Sequence, residues 1–203
     1  ALYDLCEKRY TDVVIQPARK ENESLAMTQM IDRYRGQKET IFIADRGYET
    51  YNIFAHVQDK EMYYLIRVKD GGRGSMTGSF LLPDKDEFDH TMQLILTRKQ
   101  TNGVKSNPKQ YKILPKSSPF DYLDLHHKKF YTLNFRVVRF ALSENSYECI
   151  ITNLPIEEFP AEEIKKIYAM RWGIETSFRE LKYAIGLSCF HSKKVEYIIQ
   201  EIY

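Results

Sequence analysis

Cysteine is scarce in this chain: Cys6, Cys149 and Cys189 stand far apart, with no Cys-x-x-Cys. An odd number at that spacing excludes a disulfide framework and a zinc knuckle, and reads as small buried hydrophobes. Long apolar runs are also missing. No stretch approaches the ~18 residues needed to cross a bilayer, and the opening Ala-Leu-Tyr-Asp-Leu-Cys-Glu-Lys has no secretion-signal layout. The expected setting is cytoplasmic, with no membrane partner. The glycines cluster in Asp70-Gly-Gly-Arg-Gly-Ser-Met-Thr-Gly-Ser79, but no Gly-Lys-Ser/Thr follows and no apolar-periodic helix opens there, which excludes a phosphate loop. His126-His127 has no companion ligands for a metal. Net charge is low, at +2.

What is present is a globular composition. Of 203 residues 43% are hydrophobic and 29% charged, enough for a substantial core and for one domain carrying an insertion. The low net charge hides a local excess: residues 91–140 hold ten Lys or Arg against Asp121 and Asp124, a local +8 that leaves −6 for the remainder. Such a patch gives affinity for phosphates without reading sequence; its other reading is a solvated face on a β subdomain.

In chain order, residues 1–5 and 10–16 predict an antiparallel hairpin ended by Pro17. Asn22 caps an expected helix over 23–35. Ile41-Phe-Ile-Ala44 is a short apolar run typical of a strand covered on both faces, and Asp45-Arg46-Gly47 follows at once. A carboxylate at the carboxyl end of such a strand is placed to hold a metal; it can equally cap or begin the turn before Gly47. A helix over 50–60 and a strand over 62–68 follow, the latter ending with Arg67 and Lys69 directed outward. Residues 80–153 read as β, with strands over 92–97, 111–114, 130–142 and 147–152.

Last comes a long helix expected from Pro160 to a stop at Gly186, then helical spacing in Val195, Ile198, Ile199 and Ile202. At about 100° per residue, Tyr168, Arg171, Glu175 and Lys182 share an arc of about 60°. Ile167, Met170, Ile174, Phe178, Leu181 and Ile185 form the expected core face beside it. The charges alone are open to a plain reading, because Arg171 and Glu175, and Glu175 and Arg179, are ordinary i,i+4 pairs.

The spacing Tyr-(2)-Arg-(3)-Glu-(6)-Lys resembles the YREK signature of bacterial insertion-sequence transposases of the DDE type. Thr152-Asn-Leu-Pro155, Ile174-Glu-Thr-Ser-Phe-Arg179 and Gly186-Leu-Ser-Cys-Phe-His-Ser192 are similar to the same family, and Ala44-Asp-Arg-Gly-Tyr48 resembles its second acidic motif. The resemblance implies an α/β, RNase H-like mixed sheet with flanking helices, interrupted by a β-rich insertion. Residues 1–69 would begin the core, 70–153 form the basic insertion and 154–203 complete the core. It implies Asp45 and Glu175 as catalytic and metal-binding carboxylates for two Mg²⁺ or Mn²⁺ ions, with a third carboxylate on a central strand upstream of Ala1. Tyr168, Arg171 and Lys182 become a phosphate clamp. Arg67, Lys69, Arg136 and Arg139 are expected to bind DNA as well. Trp172 is expected either to stack on an unpaired base or to pack the helix. The implied activity is cleavage of transposon ends followed by strand transfer, on double-stranded DNA and as a dimer in that complex. A DNA-binding remnant without chemistry and a structure-selective nuclease of the same fold are the alternatives.

Overall fold

The protein is described here by a computed structural model covering residues 1–36, 39–72, 74–124, 129–183, 186 and 194–202. His126, His127, Ile185 and residues 187–192 therefore lie outside the described residues.

The amino-terminal hairpin forms from β1 (Leu2–Asp4) and β2 (Arg9–Asp12), paired antiparallel with Asp4 opposite Arg9. Asp4 closes the turn by accepting from the backbone N–H groups of Cys6 and Glu7, both at 2.9 Å. Helix α1 (Glu23–Arg33) begins where Asn22 accepts from the Leu25 N–H, which satisfies one of the donors a helix start leaves free. Strand β3 (Ile41–Ala44), helix α2 (Tyr51–Asp59) and strand β4 (Tyr63–Val68) then make a parallel βαβ unit, with Ile41 opposite Tyr63 and Ala44 opposite Ile66.

The next segment supplies β5 (Phe88–Thr97), the one-turn α3 (Asn102–Lys105), β6 (Tyr111–Ile113), the one-turn α4 (Asp121–Asp124), β7 (Tyr131–Ser143) and β8 (Ser146–Thr152). These strands do not form a sheet of their own. β8 pairs antiparallel with β4, Arg67 opposite Ile150, giving one six-stranded mixed sheet in the order β3-β4-β8-β7-β5-β6. The expected α/β class with a mixed sheet is therefore observed. His56 also ties this segment to the first helices: Nδ1 lies 2.7 Å from Asp32 of α1 and Nε2 2.9 Å from Asp121 of α4.

Each face of the sheet has its own core. One buries Ile31, Phe54, Tyr64, Ile66, Leu133 and Phe135 under α1 and α2; the other buries Leu65, Val138, Ile150 and Leu154 under α5 (Ala161–Ala169), through Ile164 and Tyr168. Among the described residues β3 pairs on one edge only, and the β1–β2 hairpin is a separate two-stranded sheet. The hairpin sits against α1, where Arg33 donates to Asp12 at 2.8 Å, and against α6 (Trp172–Tyr183), where the Tyr10 hydroxyl bonds Ser177 and its ring lies 5.7 Å from that of Phe178.

The single long helix expected from 160 to 186 is instead two. Between α5 and α6 the backbone tightens: Arg171 N donates to Tyr168 O at 3.0 Å, Gly173 N to Met170 O at 2.9 Å and Ile174 N to Arg171 O at 3.2 Å. These i→i+3 bonds turn the chain faster than an α-helix does, so the helical wheel slips in phase. Gly173 permits the close packing there, since a Cβ on it would come 2.8 Å from Leu5 Cδ2 of the hairpin. Two residues of the expected core face, Met170 and Phe178, consequently stand exposed, and Ser177 is buried against Tyr10 instead. A last helix, α7 (Val195–Ile202), follows as expected.

Candidate active site

Strand alternation places three charged groups on one face of the sheet. Ile41, Ile43, Tyr63 and Leu65 all pack into the cluster under α5, so Asp45, two beyond Ile43, and Arg67, two beyond Leu65, fall on that face. On β8, Ile150 belongs to the same cluster and Glu148 lies two residues before it. Asp45, Arg67 and Glu148 thus form a row at the carboxyl end of the parallel pair. The end of α5 comes down over that row with Tyr168, and the tightened turn after it delivers Arg171.

The electrostatics report the same convergence. Burial pushes the Tyr168 phenol above its ordinary range; the charges of Arg171 and Arg67 pull it down, and those of Glu148 and Asp45 push it up. For Arg171 burial opposes the charge, but its hydrogen bond to Glu175 and the negative charges of Glu175 and Asp45 outweigh it, so the guanidinium is held more firmly protonated. Arg171 Nη1 donates to Glu175 Oε1. Glu175 is thus bonded to Arg171, and the charge of Asp45 acts on the same guanidinium. Around it three buried polar atoms, the Tyr168 hydroxyl, Arg67 Nε and Arg171 Nε, have no hydrogen-bond partner among the described residues. Each such orphan costs about 1–3 kcal/mol, and a cluster of them marks a place shaped for a ligand.

Asp45 serves its turn at the same time, since Oδ1 accepts from Gly47 N at 2.9 Å; the second oxygen makes no hydrogen bond among the described residues. Asp45 and Glu175 carry the hard oxygen donors that a divalent cation takes. Among the described residues no three His, Cys, Asp or Glu side chains gather where one ion could hold them all.

The other expected DNA-binding residues divide. Trp172 is 63% exposed, with the Arg171 guanidinium 5.1 Å from its ring, so it does not pack into the core. Lys182 is exposed on α6 two turns beyond Glu175, and no described contact joins it to the cluster. Lys69 borders an opening of about 490 Å³ with Arg46, Glu49 and Lys112. Arg136 is placed otherwise. It is buried at 3% exposure, donating through Nε at 3.0 Å and Nη2 to Asp89, through Nη1 to Leu154 O at 2.8 Å and through Nη2 to Phe159 O at 3.0 Å. That leaves no edge for a phosphate, because the loop after β8 folds over it. Arg139 is also committed, with Nε 2.9 Å from Asp70 and its guanidinium 4.0 Å from the Tyr147 ring. Glu148 is the site residue that sequence reading passed over. Its signal is faint, a lone carboxylate at period two with Ile150 in an otherwise apolar strand.

A carboxylate at the end of a buried strand, faced by a helix pair carrying tyrosine, arginine and glutamate, places an α/β domain's ligand site at the carboxyl edge of its sheet, with donors suited to an anion. The sequence places the chain more narrowly. It matches the family described as "Transposase DDE domain" over residues 1–203 and belongs to that family, the DDE-type transposases of insertion sequences. It is similar to the Escherichia coli (strain K12) protein described as "Putative transposase InsL for insertion sequence element IS186A" and to "Transposase for insertion sequence element IS421" from Escherichia coli. Each is 24% identical over 208 residues, an alignment covering 96% of this chain and 54% of the relative. The chain therefore spans about half the length of the curated relatives it matches. No described helix is long and apolar enough to cross a membrane.

Proposed function

We propose that this chain carries the catalytic half-site of a cut-and-paste DNA transposase, hydrolysing a phosphodiester at a transposon end and transferring the freed strand to target DNA. The observation that carries the reading is the Arg171–Glu175 pair, on which the charge of Asp45 also acts, beside the orphaned Tyr168 hydroxyl and Arg67 Nε. Asp45 and Glu175 would hold divalent ions, Mg²⁺ or Mn²⁺ and two in the complete site, which would supply activation of the attacking oxygen and neutralisation of the leaving one.

The chain's own cations handle the strand. Arg171 and Arg67 present guanidinium edges that match phosphate oxygens, the Tyr168 hydroxyl donates a hydrogen bond, and Lys182 and Lys69 add point charges along the path. Binding a phosphate would satisfy atoms that are otherwise buried and unpaired. The first carboxylate comes, in this reading, from a strand that pairs with the open edge of β3; that edge lies beside Asp45 and has no partner among the described residues.

The test uses the full-length protein with its transposon-end duplex. Glu175→Ala abolishes metal-dependent cleavage while the duplex still binds. Cleavage that survives Glu175→Ala refutes the assignment of that residue. The engaged states of Asp45, in its turn, and Glu175, on Arg171, favour one second reading, a DNA-binding remnant. It predicts duplex binding indifferent to Mg²⁺ and to substitution of either carboxylate.

A further inference from the structure

Beyond the carboxylates of the motif, we infer that Glu148 is a positioning residue of this site: it holds the Arg67 guanidinium in register for a DNA phosphate. The inference rests on the reading of the site as a phosphodiester site. Glu148 lies in the middle of the sheet, its side chain only 11% exposed, and its one described partner is Arg67 Nη1 at 3.3 Å. Burying a carboxylate is costly unless it is paired, so this pair is the reason Glu148 is tolerated there. The pair does not close off the arginine. Arg67 Nε is buried and unpartnered, while the side chain as a whole remains 38% exposed. One edge of the guanidinium is thus pinned to the sheet and the remainder opens on the row that Asp45 and Tyr168 share.

Glu148 acts in this inference through Arg67, its one described partner, and not as a ligand. Its charge nevertheless reaches the site, where it acts on Tyr168 alongside Asp45. An arginine on a long flexible stem loses rotamer freedom when it grips a phosphate; an arginine already pinned loses less. Removing the pin should therefore weaken DNA binding by about three- to tenfold without touching the metal carboxylates.

The experiment measures fluorescence anisotropy of a labelled transposon-end duplex with full-length protein over a salt series without divalent ions. Arg67→Ala and Glu148→Ala each weaken binding; Arg67→Ala flattens the log–log salt slope by about 0.9, the value of one phosphate contact, and Glu148→Ala flattens it to the extent that the unpinned arginine leaves its phosphate. The double variant is no weaker than Arg67→Ala alone. Glu148→Gln, whose amide oxygen still accepts from Arg67, keeps most of the affinity. Should Glu148→Ala fail to fold, Glu148→Asp takes its place, its shorter stem unable to reach Arg67, and the same flattening is expected. Additive losses in the double variant, or an unchanged slope in Glu148→Ala or Glu148→Asp, overturn the inference. Arg171→Ala run in parallel keeps the two failures apart: if it too leaves binding unchanged and Glu175→Ala still cleaves, the site reading has failed, and not merely the role of Glu148.

Discussion

Replacing Arg136 with alanine separates two readings of one residue. As a surface cation on a basic β segment it would contact DNA, and its loss would cost affinity and little stability. In the structure it is the buried centre of a small network, holding Asp89 and the carbonyls of Leu154 and Phe159. Alanine leaves a carboxylate of only 16% side-chain exposure without its counter-charge and two carbonyls without donors. Breaking a buried pair by removing one member costs about 3–5 kcal/mol. For a domain of this size one kcal/mol moves Tm by about 2–4 °C, so the expected fall is about 6–20 °C. Thermal melts and urea titrations with an unchanged m-value measure it, and duplex binding is compared well below the variant's Tm. A Tm within about 2 °C of wild type together with a salt slope reduced by about 0.9 would refute the buried-network reasoning and return Arg136 to the DNA surface.

Burial pushes the Cys149 thiol up to about 12 and raises the Tyr64 phenol strongly in the same direction. The folded chain keeps these protons while the unfolded chain releases them near its ordinary values of about 8.5 and 10. Their contribution is complete below about pH 8.5 and is lost as pH climbs toward 12, at about 1.4 kcal/mol per pH unit for each group in its window; a urea midpoint that stays flat from pH 8 to 11 would contradict their burial. Trp172→Ala, at an exposed site, is expected to leave stability within about 0.5 kcal/mol and to weaken binding of a duplex with unpaired end bases by about 1–3 kcal/mol. Loss of several degrees in Tm at unchanged affinity would make Trp172 a packing residue instead.

Local signals carried much of the architecture. Asn22 accepts from the Leu25 N–H at the helix start it was expected to cap, and the apolar run Ile41–Ala44 became a strand covered on both faces because nothing in it can face water. Long-range pairing was beyond such reasoning. That β8 would lie against β4 depends on matching Cys149 with Val68 and Ile150 with Arg67, about eighty residues apart in sequence, and no local propensity encodes that choice. Arg136 was misplaced for the same reason: its acceptors come from Asp89 and from the loop after β8, so its burial exists only once three distant segments have met. The break between α5 and α6 had a visible cue in Gly173, yet the cue gains meaning only from Leu5, supplied by a hairpin at the other end of the chain.

The pair Arg171–Glu175 shows where sequence and structure divide the work. On an exposed helix an i,i+4 pair of this kind contributes a few tenths of a kcal/mol, and the spacing alone fits that reading as well as any other. Burial decides against it. The Arg171 side chain is only 11% exposed, its Nε has no partner, and a second carboxylate, Asp45, acts on it from the end of a different element. A surface pair needs none of these, and desolvating a guanidinium to make one would cost more than the pair returns. The arrangement becomes economical only if something else completes it, and the missing complement must accept hydrogen bonds from Arg171 Nε, Arg67 Nε and the Tyr168 hydroxyl. An oxyanion with several acceptor oxygens does so, and under the proposed function that anion is a phosphodiester held beside the two carboxylates assigned to the metal.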